Sequence, residues 1–309
     1  MMAERVLLRE VGLRDGLQLV STVLDTEKKL DWCGSAAAAG LAEIEATSFV
    51  PAHVIPQFAD ADAVAAGITG IRGAHVSALV VNLKGARRAF AAGLTKVNYV
   101  VSASEAHSLA NARRSTDAAL DEFDLIVAER AAQGLSDRVA LGCGVATSFG
   151  CTLQGEVAEA RVLAIVGRLA RAGADEIMLA DTVGYGDPAR VRRLFEGAAG
   201  IVGSLPLAAH FHDTRGLGLA NVGAALSAGV RRFDASLGGL GGCPFAPGAT
   251  GNINTEDCAF MLEAMGFATG IDLAALLRLR ERVETWLPEE RFTGALARAG
   301  LPKGFSPAA

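Results

Sequence analysis

The stretch EIMLADTVGYGDPARVRRLFEGAAGIVGSLPLAAHFH, residues 176–212, holds one complete structural repeat. Glu176–Ala180 is a short apolar run, Pro188–Ala199 is rich in Ala, Leu and Arg, and Leu207–His212 is short and apolar again. Pro188 stands where a first helical turn accepts it, because its fixed φ suits the helix and its missing N–H has no partner to lose there. Strand, helix and strand in that order predict two parallel strands joined by a crossover helix.

The same alternation extends in both directions. Strands are expected at Val6–Glu10, Ala42–Ala46, His75–Val81, Lys96–Val101 and Arg138–Val145, then at the two just quoted and at Arg232–Ser236. Helices are expected between them, as at Thr26–Ala39, Ser115–Gln133, Glu156–Arg171 and Leu217–Ala228. Several close on an Ala-Gly step, the usual end of a helix: Ala39-Gly40, Ala92-Gly93, Ala172-Gly173 and Ala228-Gly229. Eight such units predict a closed (β/α)8 TIM barrel. The competing open sheet announces itself with G-x-G-x-x-G after the first strand, and that motif is missing. The expectation is one domain over residues 1–309, with the barrel over about residues 5–250 and C-terminal helices over about 251–309.

A formal net charge of −5 argues against nucleic acid as a partner, though a local basic rim can still receive a phosphorylated ligand. The five cysteines include no C-x-x-C pair and suit reduced thiols in a cytoplasmic protein. The N-terminus reads neither as a signal core nor as an amphipathic leader. No apolar run reaches the ~18 residues a membrane span needs.

Active sites of this fold lie at the C-terminal ends of the strands, so the polar residues found there carry the functional reading. After strand one comes Glu10-Val11-Gly12-Leu13-Arg14-Asp15-Gly16-Leu17-Gln18, an Arg-Asp pair bracketed by glycines, which also suits a turn closed by an ion pair. Strand seven ends in His210-Phe211-His212-Asp213-Thr214, two of only five histidines. Residues two apart in a strand face the same side, ~6–7 Å apart, and can converge on one cation; the plainer reading is a pair of hydrogen-bonded core histidines. Beyond strand eight, Gly238-Gly239-Leu240-Gly241-Gly242-Cys243-Pro244 is a loop able to approach a ligand with bare backbone, holding a cysteine as candidate acid/base. Asn252 follows a Gly turn and suits either an oxygen ligand or a helix cap. In a closed barrel strands seven, eight and one form one arc, which gathers Asp15, His210, His212 and Asn252. Two imidazoles and two oxygens suit Mg2+ or Mn2+ better than zinc, which favours thiolate company.

These segments resemble 3-hydroxy-3-methylglutaryl-CoA (HMG-CoA) lyases, within the wider group of barrel metallolyases and Claisen-type synthases. The likeness rests on Gly12–Gln18, on His210–Thr214 and above all on GGLGGCPFAPGATGNINTED at 238–257, and extends through Ile44–Val50, Asn82–Gly85 and Leu179–Thr182. It implies Asp15, His210, His212 and Asn252 as ligands of a divalent metal, Arg14 as stabiliser of the acetyl-CoA enolate and Cys243 as its proton donor. It further implies acidic site positions at Glu45 and Asp181, with Gln18, Ser48, Asn82 and Thr182 at the substrate. Which of Asp15 and His210 accepts the hydroxyl proton is open, with Asp15 or a metal-held water preferred. Arg113 and Arg114 are candidates for the CoA phosphates, as are Lys84 and Lys303, against the plainer reading of solvated surface charges. Barrels of this kind are often homodimers or higher homo-oligomers.

Three places depart from the family pattern: Met178 before Leu179-Ala180-Asp181-Thr182 where a small polar residue is usual, the segment Ser148–Gly155, and Leu19-Val20 after Gln18. They leave the reaction type in place and loosen the acyl group, so citramalyl-CoA is an alternative substrate. A synthase condensing acetyl-CoA with a 2-oxo acid usually carries a long C-terminal region, and only about 50 residues follow Asp257. A silent acyl-CoA-binding barrel is disfavoured by the joint presence of Arg14, both histidines, Asn252 and Cys243.

Overall fold

A computed structural model describes residues 3–242 and 251–308. Eight parallel strands run β1 Leu7–Glu10, β2 Glu43–Ser48, β3 His75–Leu79, β4 Lys96–Ser102, β5 Ala140–Ala146, β6 Glu176–Asp181, β7 Leu207–Phe211 and β8 Arg232–Ala235. Each pairs with the next, and β1 pairs back onto β8 with Leu7 opposite Arg232 and Glu10 opposite Ala235, which closes the barrel. The fold is the (β/α)8 TIM barrel expected, and every strand lies within two residues of its expected position.

Helices α1 Thr26–Ala38, α2 Ala61–Ile68, α3 Leu83–Ala91, α4 Glu105–Ala112, α5 Thr116–Ala132, α6 Glu159–Ala172, α7 Pro188–Val202 and α8 Gly218–Ser227 connect the strands. Asp187 begins α7 by accepting from the backbone N–H of Ala189 and Arg190, with Pro188 in the first turn. At the end of α1, Gly40 has a φ of 93°, and a side chain there would strike the carbonyl of Gly270. The helices bury their apolar faces on the strands: Phe195 of α7 meets Phe211 of β7 edge to face, and Phe149 packs tilted against both, with centroids 6.1–6.5 Å apart.

After the barrel, α9 Thr255–Ala264, α10 Leu273–Trp286 and α11 Leu296–Ala299 follow. The approach to α9 crosses the mouth of the barrel. Ile253 N–H donates to Phe211 O at 3.0 Å and Ser236 N–H to Ile253 O at 3.0 Å, so residues 251–254 are stitched over the ends of β7 and β8. This carries Asn252 to His212, its partner in an isolated bridge, while the helix cap itself is Asn254, whose Oδ1 accepts from Asp257 N–H at 3.0 Å. Among the described residues no helix is long and apolar enough to cross a membrane.

The lumen is filled in layers. In the lower one, Arg9 of β1 reaches across to pair with Glu43 of β2 at 2.7 Å, Asp234 of β8 at 2.9 Å and Glu176 of β6. Lys96 of β4 bridges Glu43 at 2.6 Å and Glu176 at 3.0 Å. Burial of these charges is tolerable because each cation meets at least two carboxylates.

Candidate active site

The chain leaves β1 through a tight turn in which the N–H groups of Arg14, Asp15 and Gly16 all point at Val11 O, the last as a five-residue π-type bond of 3.2 Å. Such a turn packs side chains more densely than an α-turn and recurs at functional sites. It needs glycine at position 12, where a Cβ would collide with Glu10 and Trp32. Glu10 fixes the surroundings: Oε1 accepts from Gly12 N–H at 2.7 Å and Leu237 N–H at 2.9 Å, and Oε2 from Thr255 Oγ1 at 2.7 Å. One buried carboxyl thus ties the loops after β1 and β8 to α9. Burial pushes it up to about 8, against the pull of those donors.

The turn brings Asp15 to the two histidines. Nε2 of His210 and Nε2 of His212 face one another at 3.1 Å, and Asp15 Oδ2 lies 3.9 Å from the first and 3.5 Å from the second. Both imidazoles are buried, on the same side of the barrel as their two-residue spacing predicts. Among the described residues this is the group of three His, Cys, Asp or Glu side chains whose ligand atoms lie within 4.8 Å of one another.

The donor set fits a divalent cation. His210 Nδ1 is engaged by Asp234 Oδ2 at 3.1 Å, so its proton belongs there and a lone pair is left on Nε2. His212 turns Nε2 to the cluster, and Asn252 Oδ1 is buried beside it without a hydrogen-bond partner, an oxygen still able to take a ligand. Asn252 enters through its nitrogen, which donates to Asp15 Oδ2 at 2.7 Å and to Leu240 O at 3.0 Å. The expected oxygen ligand therefore requires this amide to turn over, giving up the bonds to Asp15 and Leu240.

Arg14 lies against the cluster. Its Nη1 pairs with Asp15 Oδ1 at 2.5 Å and its Nε with Glu45 Oε2, while Glu45 Oε1 accepts from Asn98 Nδ2 at 2.7 Å. Burial opposes the guanidinium charge, but the Glu45 and Asp15 carboxylates overcome it and hold the group well above the usual arginine range. Burial likewise opposes ionisation of Asp15, and Arg14, His212 and His210 outweigh it and hold the carboxyl well below its usual range. Among the described residues no hydrogen bond occupies Arg14 Nη2.

Gly241 carries the Gly-rich loop over this centre. Its φ is 121°, and a Cβ there would lie 2.5 Å from Asn252 Nδ2 and 3.4 Å from Asp15 Oδ2. Cys243 lies two positions on, outside the described residues.

Other expected positions have local structural duties. Asp181 accepts from Tyr185 N–H at 2.8 Å and Gly186 N–H at 2.9 Å, so it anchors the loop after β6; burial raises its pKa, against those bonds and the nearby His212 and His210. Thr182 Oγ1 accepts from Thr147 N–H at 2.8 Å. Asn82 caps α3 by accepting from Gly85 N–H at 2.9 Å. Arg114 pairs with Glu122 at 3.1 Å, and Arg113 is exposed at the end of α4 with a φ of 54°. Ser48 is buried at the end of β2, and Gln18 is half-buried just past the π-type turn. Reading the sequence missed Asp234 and Asn98; the available signal was an acid and an amide each set between apolar neighbours in a barrel strand.

A closed barrel with a ligand-rich cluster at the C-terminal ends of β1, β7 and β8 defines a TIM-barrel enzyme with a candidate metal site. The profile of the HMGL-like family matches residues 5–283, so the chain belongs to that family and is a carbon–carbon lyase. It is 40% identical over 292 residues to the hydroxymethylglutaryl-CoA lyase of Pseudomonas mevalonii, covering 94% of each chain. It is 38% identical to hydroxymethylglutaryl-CoA lyase YngG of Bacillus subtilis, covering 91% of this chain and 93% of that one. The structure of an HMG-CoA lyase from Acinetobacter baumannii, in complex with coenzyme A and 3-methylmalate, superposes with a TM-score of 0.91 at 41% identity, covering 99% of this chain and 98% of that one.

Proposed function

We propose that this protein cleaves 3-hydroxy-3-methylglutaryl-CoA to acetyl-CoA and acetoacetate by a divalent-metal-dependent retro-Claisen reaction. The observation that carries the reading is the convergence of Asp15, His210 and His212 beside the buried guanidinium of Arg14. Asp15, His210, His212 and, after its amide turns, Asn252 would hold Mg2+ or Mn2+, the ions suited to mixed nitrogen and oxygen ligands. Such an ion supplies Lewis acidity, making a chelated tertiary hydroxyl more acidic and fixing its orientation.

The remaining work falls to the protein's own groups. A proton must leave the C3 hydroxyl, and we assign its acceptance to Asp15 or to a water held at the metal site. As the bond breaks, negative charge moves onto the thioester oxygen; Arg14, rigidly held through Nε and Nη1, keeps Nη2 for that oxygen. Cys243 is assigned protonation of the enolate carbon. Gly241, two positions before that cysteine, is pressed against Asn252 and Asp15. Asp181 and Thr182 would shape the β6 side of the pocket, with Gln18, Ser48 and Asn82 near substrate and Arg113 and Arg114 towards the CoA phosphates. We read the chain as a single domain acting in the cytoplasm as a homodimer or higher homo-oligomer; the described cysteines Cys33, Cys143, Cys151 and Cys258 are all free thiols.

The test is acetyl-CoA release from HMG-CoA by purified protein with Mg2+ or Mn2+, with citramalyl-CoA in parallel. Metal-dependent release from HMG-CoA, abolished in His212→Ala and strongly reduced in Cys243→Ser, is the expected result. Cleavage of citramalyl-CoA alone would keep the chemistry and reassign the acyl group, directing attention to Met178, whose Cε would lie 3.0 Å from a Cβ at Gly144. Release from neither would reject the reading.

A further inference from the structure

We infer that Asp234, clamped by Arg9, is a positioning residue that fixes the His210 ring for metal binding. The inference rests on the metal-site reading above and goes beyond it to a residue of the barrel interior. In register, Asp234 of β8 stands between Arg9 of β1 and His210 of β7. Its two oxygens divide accordingly: Oδ1 accepts from Arg9 Nη1 at 2.9 Å, and Oδ2 faces His210 Nδ1 at 3.1 Å. All three side chains are buried, so no water competes for these bonds.

The direction of the effect follows from the donor inventory. A carboxylate only accepts, so His210 must present Nδ1–H to it, and the lone pair then lies on Nε2, the atom facing His212 and Asp15. Arg9 cannot drift, because Nε is held by Glu43 at 2.7 Å and Nη2 by Glu176, carboxylates of two further strands. Asp234 in turn cannot rotate without breaking from Arg9. The two histidines are thus unequally supported: His210 is braced from behind through four strands, β8, β1, β2 and β6, while His212 Nδ1 has no partner. The lower ionic layer of the lumen aims one ligand of the layer above it.

Asp234→Asn is the discriminating change. Arg9 offers only donors, so it must take the amide oxygen, which turns the amide NH2 towards His210 Nδ1. The imidazole is then driven to carry its proton on Nε2, pointing at the cation. Mn2+ added to chelator-stripped protein, followed by calorimetry, is expected to bind wild type at one site and Asp234→Asn about 10–100-fold more weakly. Nitrogen-15 spectra of histidine-labelled, metal-free protein are expected to show His210 with its proton on Nδ1 in wild type and on Nε2 in the variant.

Wild type that binds no Mn2+ would overturn the metal-site reading itself. Wild type that binds while folded Asp234→Asn binds within twofold of it would overturn this inference alone. A fall in thermal midpoint with unchanged Mn2+ affinity, the mark of a purely structural residue, would do the same. Should Asp234→Asn fail to fold, the wild-type spectrum decides: a proton on Nε2 of His210 overturns the proposal.

Discussion

Two polar layers share the lumen of this barrel and differ in one respect. In the lower layer Arg9, Glu43, Lys96, Glu176 and Asp234 form a paired set, in which each charge meets at least one opposite charge within 3.0 Å and Asp234 alone reaches up to His210. In the upper layer the set is open: two imidazole nitrogens confront each other, and His212 Nδ1 and Asn252 Oδ1 have no partner. Both layers are buried, so burial does not separate structural from functional polar groups. Satisfaction does. A paired network resists rearrangement, and leaving it incomplete costs stability, whereas an open one retains binding capacity for a ligand.

The contrast breaks most visibly at the open layer. His212→Ala is expected to remove metal-dependent turnover, by roughly a thousandfold or more, since the remaining groups cannot complete a coordination sphere; steady-state acetyl-CoA release measures it. Arg14→Gln should lower kcat by about 100–1000-fold with a smaller change in KM, because its donors act on charge that develops in the transition state. A raised KM with kcat unchanged would place Arg14 in ground-state binding instead.

The paired layer should answer in stability. Arg9→Met strands Glu43, Glu176 and Asp234 around Lys96 and is expected to cost about 3–5 kcal/mol in urea unfolding. His212→Ala, which removes a ring with an unpartnered nitrogen, should cost less than that in the same assay. The reverse order would mean that the two layers had been assigned the wrong way round.

Weaker effects sharpen the boundary between them. Burial pushes Glu10 up to about 8 and Glu256 up to about 7, from 4.5 in the unfolded chain. Both groups keep a proton in the fold that the unfolded chain has released, so their contribution is full below about pH 4.5 and declines as pH rises towards 8. Thermal midpoints recorded between pH 5 and 8.5 should fall with pH, and Glu10→Gln should flatten that slope. Smallest of all, Asn82→Ala removes a helix cap and should cost about 1 kcal/mol with KM unchanged. A clear rise in KM would make Asn82 a substrate contact as well.

Much of this was legible in the chain. The period of apolar runs, Pro188 at a helix start and the repeated Ala-Gly steps specify eight βα units, because each is a local consequence of backbone geometry. The spacing of His210 and His212 places them on one side of a strand for the same reason. Asp15 and Asn252 were also readable as members of one arc once barrel closure was assumed. Local rules do not assign the nitrogen of Asn252 to Asp15, since that depends on residues 251–254 crossing the barrel mouth. Nor do they separate Asp181, consumed by two backbone N–H groups, from Asp15, whose Oδ2 faces both histidines.

The barrel, the strand ends at which polar residues gather and the kinds of side chain found there were set by the order of residues, since all three follow from periodicities of two and 3.6 residues and from side-chain chemistry. Tertiary structure alone decided which polar groups are spent and which are left over. Arg9 meets Asp234 across 225 positions and Asn252 meets Asp15 across 237, and pairings at such separations exist only once β8 has closed against β1.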